Sequence, residues 1–398
     1  MAKTAIISVD GHVKASRAGY RDYIQARFLD AYDHWVGAEE EAGTPDAGNL
    51  NPEYGFEAQW DSGRRLDVLE GQGVVAEVLF PNGQPFQVNR FEDAARAADA
   101  ELAAEGRRAY NRWLVDFCAE APGRRCGQAV VSFDDIDQAV KDVYRAKEQG
   151  LGGIMMPALN PGGKDFFDPV LDPIWAAVQD AGLPLSQHGG AGLPGYSATG
   201  FAAILTVSIE NGFFSVRSLW QMIAGGVFDR FPGLRMAFIE TQLMFLVPAI
   251  AHLDMTLGWT DDWMAFARFM NRDRTVKRLA SEYIGENCFV GVSPFDPRQL
   301  AIDQLVGKDE DSAPLEGFHI GADAAMFGVD YPHFESFVPH TLDKVALLAG
   351  HPSVTPDDSV KILYQNAATL FGFDLGLLQP HVERVGFELE TVAAASAG

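Results

Sequence analysis

Eight strand-like apolar runs, each followed by a helical stretch, constrain most strongly what this chain can fold into. The runs fall at 4–10, 74–80, 126–132, 152–157, 183–188, 234–240, 287–292 and 326–330. Helical patterns fill 62–72, 91–120, 134–149, 169–181, 207–225, 243–257, 275–284 and 357–370. Strands separated by crossovers of this length pair in parallel, with a helix returning the chain to the start of the next strand. Eight such units predict an α/β fold, a closed (β/α)8 barrel. The junctions agree: Gly150, Gly182 and Gly233 precede strands 4, 5 and 6, where helix C-termini take glycine.

Composition removes several function classes. An apolar fraction of 47% supports a large core rather than disorder. A net charge of −24 disfavours nucleic acid and anionic membrane surfaces as partners, since both need basic patches. The longest apolar stretch, near 244–251, is far too short to span a bilayer. Cys118, Cys126 and Cys288 have no metal-finger spacing and fit a reduced compartment. The first residues enter a strand directly, with no signal-peptide pattern. The expectation is a cytoplasmic protein with a small-molecule substrate, and a homo-oligomer, most simply a dimer.

Two segments stand outside the alternation. Residues 13–61 follow strand 1, are rich in Gly, Pro, Asn and acidic residues, and carry Tyr20, Tyr23, His34, Trp35, Tyr54, Phe56 and Trp60. Loops after barrel strands lie on the active face, so this insertion is expected as a lid or pocket wall; the bland alternative is an ordinary packed excursion. Residues 372–398 read as a C-terminal arm ending in a mobile tail, one that could cross to another subunit. The barrel domain is thus expected over 1–371.

The strand ends carry the chemistry. Strand 1 offers Asp10 and His12, two residues apart and so on one face. Strand 5 ends in His188, strand 6 in Glu240 and strand 8 in Asp330, with His333 three residues on. A single His or strand-end Asp is more often structural, as a hydrogen-bonded group or a cap. Four such ends together, at the face where barrel active sites form, point to a mixed imidazole and carboxylate metal site. That donor set suits Zn, Fe or Mn without choosing among them. His252 reads as a packing residue on a helix, and His319, His340, His351 and His381 show no pattern for catalysis; His34 lies where it could reach the site.

These motifs resemble the amidohydrolase-related branch of metal-dependent barrel hydrolases, which also contains the aminocarboxymuconate semialdehyde decarboxylase group. The matching pieces are SVDGH at 8–12, AEVLFP at 76–81, YNRWL at 110–114, GGIMMP at 152–157, LPLSQH at 183–188, GGVFDRFP at 225–232 and GVDYPH at 328–333. The resemblance implies a single divalent metal held by Asp10, His12, His188 and Asp330; a second ion, ligated by Glu240, is the alternative. It also implies that Asp330 doubles as a base. Many relatives have His-x-His on strand 1, where this chain has Asp10. Decarboxylases of the group carry a catalytic His at the end of strand 6, where this chain has Glu240.

Glu240 decides the expected reaction. A carboxylate there repels an anionic substrate, less so if it binds metal or is protonated. The expectation is therefore hydrolysis: a metal-activated water attacks the carbonyl of an ester, thioester, amide or lactone. Asp330, Glu240 and His333 are the expected catalytic residues, with Glu240 also a candidate metal ligand. His333 has the alternative of capping a helix, and Glu240 of pairing with an Arg. The competing reading is non-oxidative decarboxylation of an aromatic or unsaturated acid. A third is a catalytically inactive barrel that serves as a binding subunit.

Overall fold

The computed structural model describes residues 3–43, 50–86, 100–157, 163–189, 200–241, 243–258, 269, 275–292 and 320–395. Its strands are β1 (Ile6–Val13), β2 (Val74–Pro81), β3 (Arg125–Val130), β4 (Gly153–Met155), β5 (Leu185–His188), β6 (Met236–Ile239), β7 (Cys288–Val292) and β8 (Ala325–Phe327). They form one sheet in the order β1 to β8, every pair parallel. The barrel closes between β8 and β1 by a parallel bridge, Gly11 with Tyr331, and by hydrogen bonds from His12 N to Tyr331 O (2.8 Å) and Asp330 N to Asp10 O (2.9 Å).

Helices overlap most of the expected stretches, while those at Leu29–Glu41 and Thr341–Ala349 fall outside them. They include α1 (Leu29–Glu41), α2 (Ser62–Glu70), α3 (Ala100–Ala119), α4 (Ile136–Glu148), α5 (Asp172–Ala181), α6 (Phe201–Ala224), α7 (Leu243–Gly258) and α8 (Thr341–Ala349). The expected helix at 275–284 is corrected: only a short 3-10 turn, Ala280–Tyr283, forms there. The stretch at 91–99 of another expected helix lies outside the described residues. The 13–61 insertion holds a helix that its composition concealed, α1, whose Tyr32 is buried.

Two apolar layers result from the two faces of each strand. Ile7 and Val9 of β1 join Val78, Phe80, Ile239 and Met326 in the barrel interior. Ile6 of β1 joins Leu79, Ile154, Phe238 and Val290 in the layer beneath the helices. The 372–395 segment folds back on its own barrel rather than leaving it. Its helix α9 (Leu375–Val385) adds Leu378 and Val382 to the interior cluster, and Phe387 pairs with Thr4.

The β1 register shifts between Ser8 and Gly11. A bulge of this kind exchanges the faces of the residues beyond it. Ile7 and Val9 point inward before the shift, and Asp10 and His12 take over the inward face after it. This one irregularity delivers both polar residues to the barrel mouth.

Candidate metal centre

Asp10, His12, His188 and Asp330 are almost fully buried and meet at the mouth. The Asp10 Oδ1 lies 3.1 Å from His12 Nε2 and 3.1 Å from His188 Nε2. The Asp330 Oδ1 lies 3.2 Å from the same His12 Nε2. Ligand atoms ~2.1 Å from a shared ion sit roughly 3.0–3.4 Å apart at right-angle or tetrahedral positions. The Asp10–His12, Asp10–His188 and His12–Asp330 pairs hold that spacing; Asp10, His12 and His188 form one group of candidate ligand atoms within 4.8 Å of one another, and His12, Asp330 and His333 form another.

Local backbone explains how strand ends reach inward. Glu240 and Asp330, one or a few residues past β6 and β8, have left-handed φ values of 54° and 56°. Non-glycine residues adopt this region at a cost of about 1–3 kcal/mol and keep it only where the surroundings enforce it. At both positions it turns a carboxyl back over the mouth. Gly189 is required beside it, because a Cβ there would stand 2.7 Å from Glu240 O and 2.8 Å from Glu240 Oε2.

Hydrogen bonds set the tautomers. His188 Nδ1 donates to Gly189 O at 2.6 Å, which aims Nε2 at Asp10 Oδ1, 3.1 Å away. His333 stacks on His12 at 3.9 Å between ring centroids. Its Nε2 donates to Asn82 Oδ1 (3.1 Å), and Asn82 in turn donates to Gln59 Oε1 (2.7 Å) of the insertion. His333 Nδ1 then approaches Asp330 Oδ1 at 2.8 Å without hydrogen-bond geometry.

Charge in this cluster is unbalanced. Burial opposes ionisation of Asp10, but His188 and His12 outweigh it and hold its carboxyl below the usual aspartate range. Burial would lower His12, yet Asp10 and Asp330 push it up to about 9. His188 is raised against the same burial by Asp10 and Glu240. Burial pulls His333 down to about 4. Asp10 Oδ2 and both oxygens of Asp330 are buried without a hydrogen-bond partner among the described residues. Buried, unpaired carboxylate oxygens are costly, and a divalent cation between these side chains satisfies them. The donor set therefore fits a divalent metal.

Beside the cradle lies a second group, in which Glu335 joins two residues already expected from the sequence. Glu240, Asp330 and Glu335 bring carboxylate oxygens within 4.8 Å of one another. Burial, with Asp330 and Asp10 close by, pushes Glu240 well above the usual glutamate range. Glu335 is pushed up to about 7, by burial and then by Asp330. Glu335 had no motif to mark it, being a loop acid two residues past His333.

The other sequence candidates sort plainly. His252 is on α7 and has no part in the cluster. His340 makes an exposed pair with Asp343, and His381 sits beside Arg384. His319 lies outside the described residues. Phe80 forms one wall, 4.6 Å from His188 and 6.2 Å from His12 between centroids. Tyr32 and Trp35 of the insertion pack on Phe86, which follows β2. Among the described residues no helix is long and apolar enough to cross a membrane.

Comparison with known proteins gives consistent results. A family model described as Amidohydrolase matches residues 78–284, more than half of the chain. Two curated relatives are gamma-resorcylate decarboxylases. The one from Polaromonas sp. is 24% identical over 77% of this chain and 86% of its own length. The one from Rhodococcus jostii is 26% identical over 78% and 87%. An amidohydrolase structure from Mycobacterium avium subsp. paratuberculosis matches with a TM-score of 0.65 and 19% identity, over 94% of this chain and all of its own. A dihydroxybenzoic acid decarboxylase structure from Polaromonas sp., with bound manganese and the inhibitor 2-nitroresorcinol, matches at 0.57 and 18%, over 93% and 97%. The expectation of hydrolysis is corrected by these findings, because the curated relatives are decarboxylases. The repulsion argument gave too much weight to the charge of Glu240: burial pushes its carboxyl well above the usual glutamate range, which weakens the repulsion of an anionic substrate.

Proposed function

Because the chain belongs to the amidohydrolase family, we propose that it is a metal-dependent, non-oxidative decarboxylase of a small aromatic carboxylic acid. The observation that carries this reading is the pairing, in one buried mouth, of a cluster of candidate metal ligands with a carboxyl that burial pushes well above the usual glutamate range. Groups whose surroundings drive their pKa values apart are the natural division into acid and base. Here Glu240 is driven up, as suits a proton donor, while Asp10 is driven down and stays an anionic ligand.

Asp10, His12, His188 and Asp330 hold the metal in this reading. Manganese is the first ion to test, since a structural relative carries it. When bound, the metal supplies a positive charge that orients and polarises the oxygens of the substrate. Asp330 accepts the proton of a substrate hydroxyl and returns it to the product oxygen after CO2 has left. Glu240 donates a proton to the ring carbon that bears the carboxylate. The bond from that carbon to the carboxylate then breaks, its electron pair restores the aromatic ring, and CO2 leaves. Glu335, less buried than Glu240, returns a proton from solvent to the acid. His333, neutral and tethered through Asn82 to Gln59, and Phe80 flank the ring, with the 13–61 insertion as pocket wall.

Self-association is supported by the surface of α6. Phe201, Leu205, Ile209 and Phe213 recur every four residues and are 43–74% exposed. A homodimer seated on this stripe is expected to sediment as twice the chain mass, and to fall apart when Leu205 and Ile209 become Glu.

The function is tested with the manganese-loaded protein and a set of ortho-hydroxylated benzoates. CO2 release that a chelator abolishes and manganese restores is the expected result. Intact acids under all metal conditions would reject the reading.

A further inference from the structure

Arg65 of α2 is fully buried, and it uses all five of its N–H donors. Its Nε donates to Glu77 of β2 at 2.9 Å, and one Nη2 proton reaches Glu77 Oε2 at 2.8 Å. The other Nη2 proton goes to Tyr331 O (3.1 Å). The Nη1 protons go to His12 O (3.0 Å) and Ala58 O (3.2 Å). The guanidinium also lies 5.0 Å from the centre of the Tyr331 ring.

Those acceptors are not scattered. His12 O belongs to a residue of the cradle on β1, and Tyr331 O to the residue after Asp330. Ala58 belongs to the insertion. The seam between β8 and β1, where the barrel closes, is also where His12 Nε2 and Asp330 Oδ1 stand 3.2 Å apart. Gly11 keeps the approach open: a Cβ there would meet Arg65 Nη2 and Glu77 Oε2, both at 3.0 Å.

We propose that Arg65 is a positioning residue for the metal centre. It clamps the backbones of His12 and Tyr331 across the seam and ties the insertion to both, with Glu77 as its fixed counter-ion. A planar fork satisfies these carbonyls and one carboxylate together; a lysine, with three donors at one point, does not. Partners behind metal ligands typically change metal affinity about 10–100-fold when altered.

This inference rests on the metal reading above, and the experiment separates the two. Manganese titration and the manganese electron paramagnetic resonance spectrum are compared for wild type, R65K and R65M, with circular dichroism and Tm of the metal-free forms. R65K keeps a buried cation beside Glu77 and is the deciding variant where R65M fails to fold. The expected result is a dissociation constant raised about tenfold in R65K and up to about 100-fold in R65M, with an altered zero-field splitting and an unchanged metal-free fold. Wild-type affinity and spectrum in R65K overturn the clamp and leave the metal reading standing. A loss of affinity that merely tracks unfolding of the metal-free R65K also overturns it. A wild-type protein that binds no manganese overturns both.

Discussion

His12 Nε2 and Asp330 Oδ1 stand 3.2 Å apart across the seam that closes the barrel, although the two residues are 318 positions apart in the chain. Neither Asp330 oxygen has a hydrogen-bond partner among the described residues, and His12 is pushed up to about 9. In the metal-free protein a proton on His12 stands where a cation would.

Metal binding should therefore compete with protons. His12 must lose its proton to become a ligand, so affinity should fall close to tenfold per pH unit for each proton displaced, as pH drops below about 9. Calorimetry in buffers of different ionisation enthalpy measures the protons released. Affinity independent of pH between 6 and about 9 would remove this account of His12.

His188→Ala should lose metal without losing the fold. The Nε2 it removes belongs to the Asp10, His12 and His188 group of candidate ligand atoms, and its Nδ1 bond to Gly189 O aims the ring. A metal affinity lower by at least about 100-fold is expected, read by elemental analysis after dialysis. Full stoichiometry in the variant would show that His188 is not a ligand.

Glu240→Gln should keep metal and lose turnover. The amide preserves a neutral donor but has no acidic proton to transfer to carbon. A fall in kcat of about 10²–10⁴ with KM little changed is expected. Wild-type kcat would move the acid role elsewhere.

Stability of the metal-free protein should fall as pH rises through neutrality. Glu335 has a folded value of about 7, above its ordinary 4.5, so the folded form binds the proton more tightly than the unfolded one. Its contribution is complete below about 4.5 and is lost as pH rises through about 7. His12, raised to about 9, adds a loss of the same sign at higher pH. Thermal melts of wild type and E335Q from pH 5 to 8 isolate the Glu335 part, and parallel curves would dismiss it.

Much of the fold was legible because apolar runs mark buried parallel strands wherever they occur, and β1 to β8 fall on or within a few residues of those runs. The polar residues that end them, Asp10, His188, Glu240 and Asp330, stood out against that apolar background. What was hidden depends on three-dimensional surroundings. Arg65 and Glu77 look in sequence like a helix-surface cation and an ordinary strand acid, yet they form a buried pair behind the seam. Glu335 is one acid among many until β8 and β6 bring Asp330 and Glu240 to it. The upward shift of the Glu240 carboxyl, which weakens the argument for hydrolysis, comes from its burial and not from its residue type.

The central claim is a proton delivered to the ring carbon that loses CO2, in a metal-dependent step. The most direct measurement is turnover of a hydroxylated benzoate by the manganese-loaded protein in D2O, followed by NMR and CO2 detection. The account predicts one deuterium at the vacated carbon for each CO2 released, and none after chelation. Aryl acids left unchanged by the metal-loaded protein, with an ester or amide cleaved instead, would contradict it.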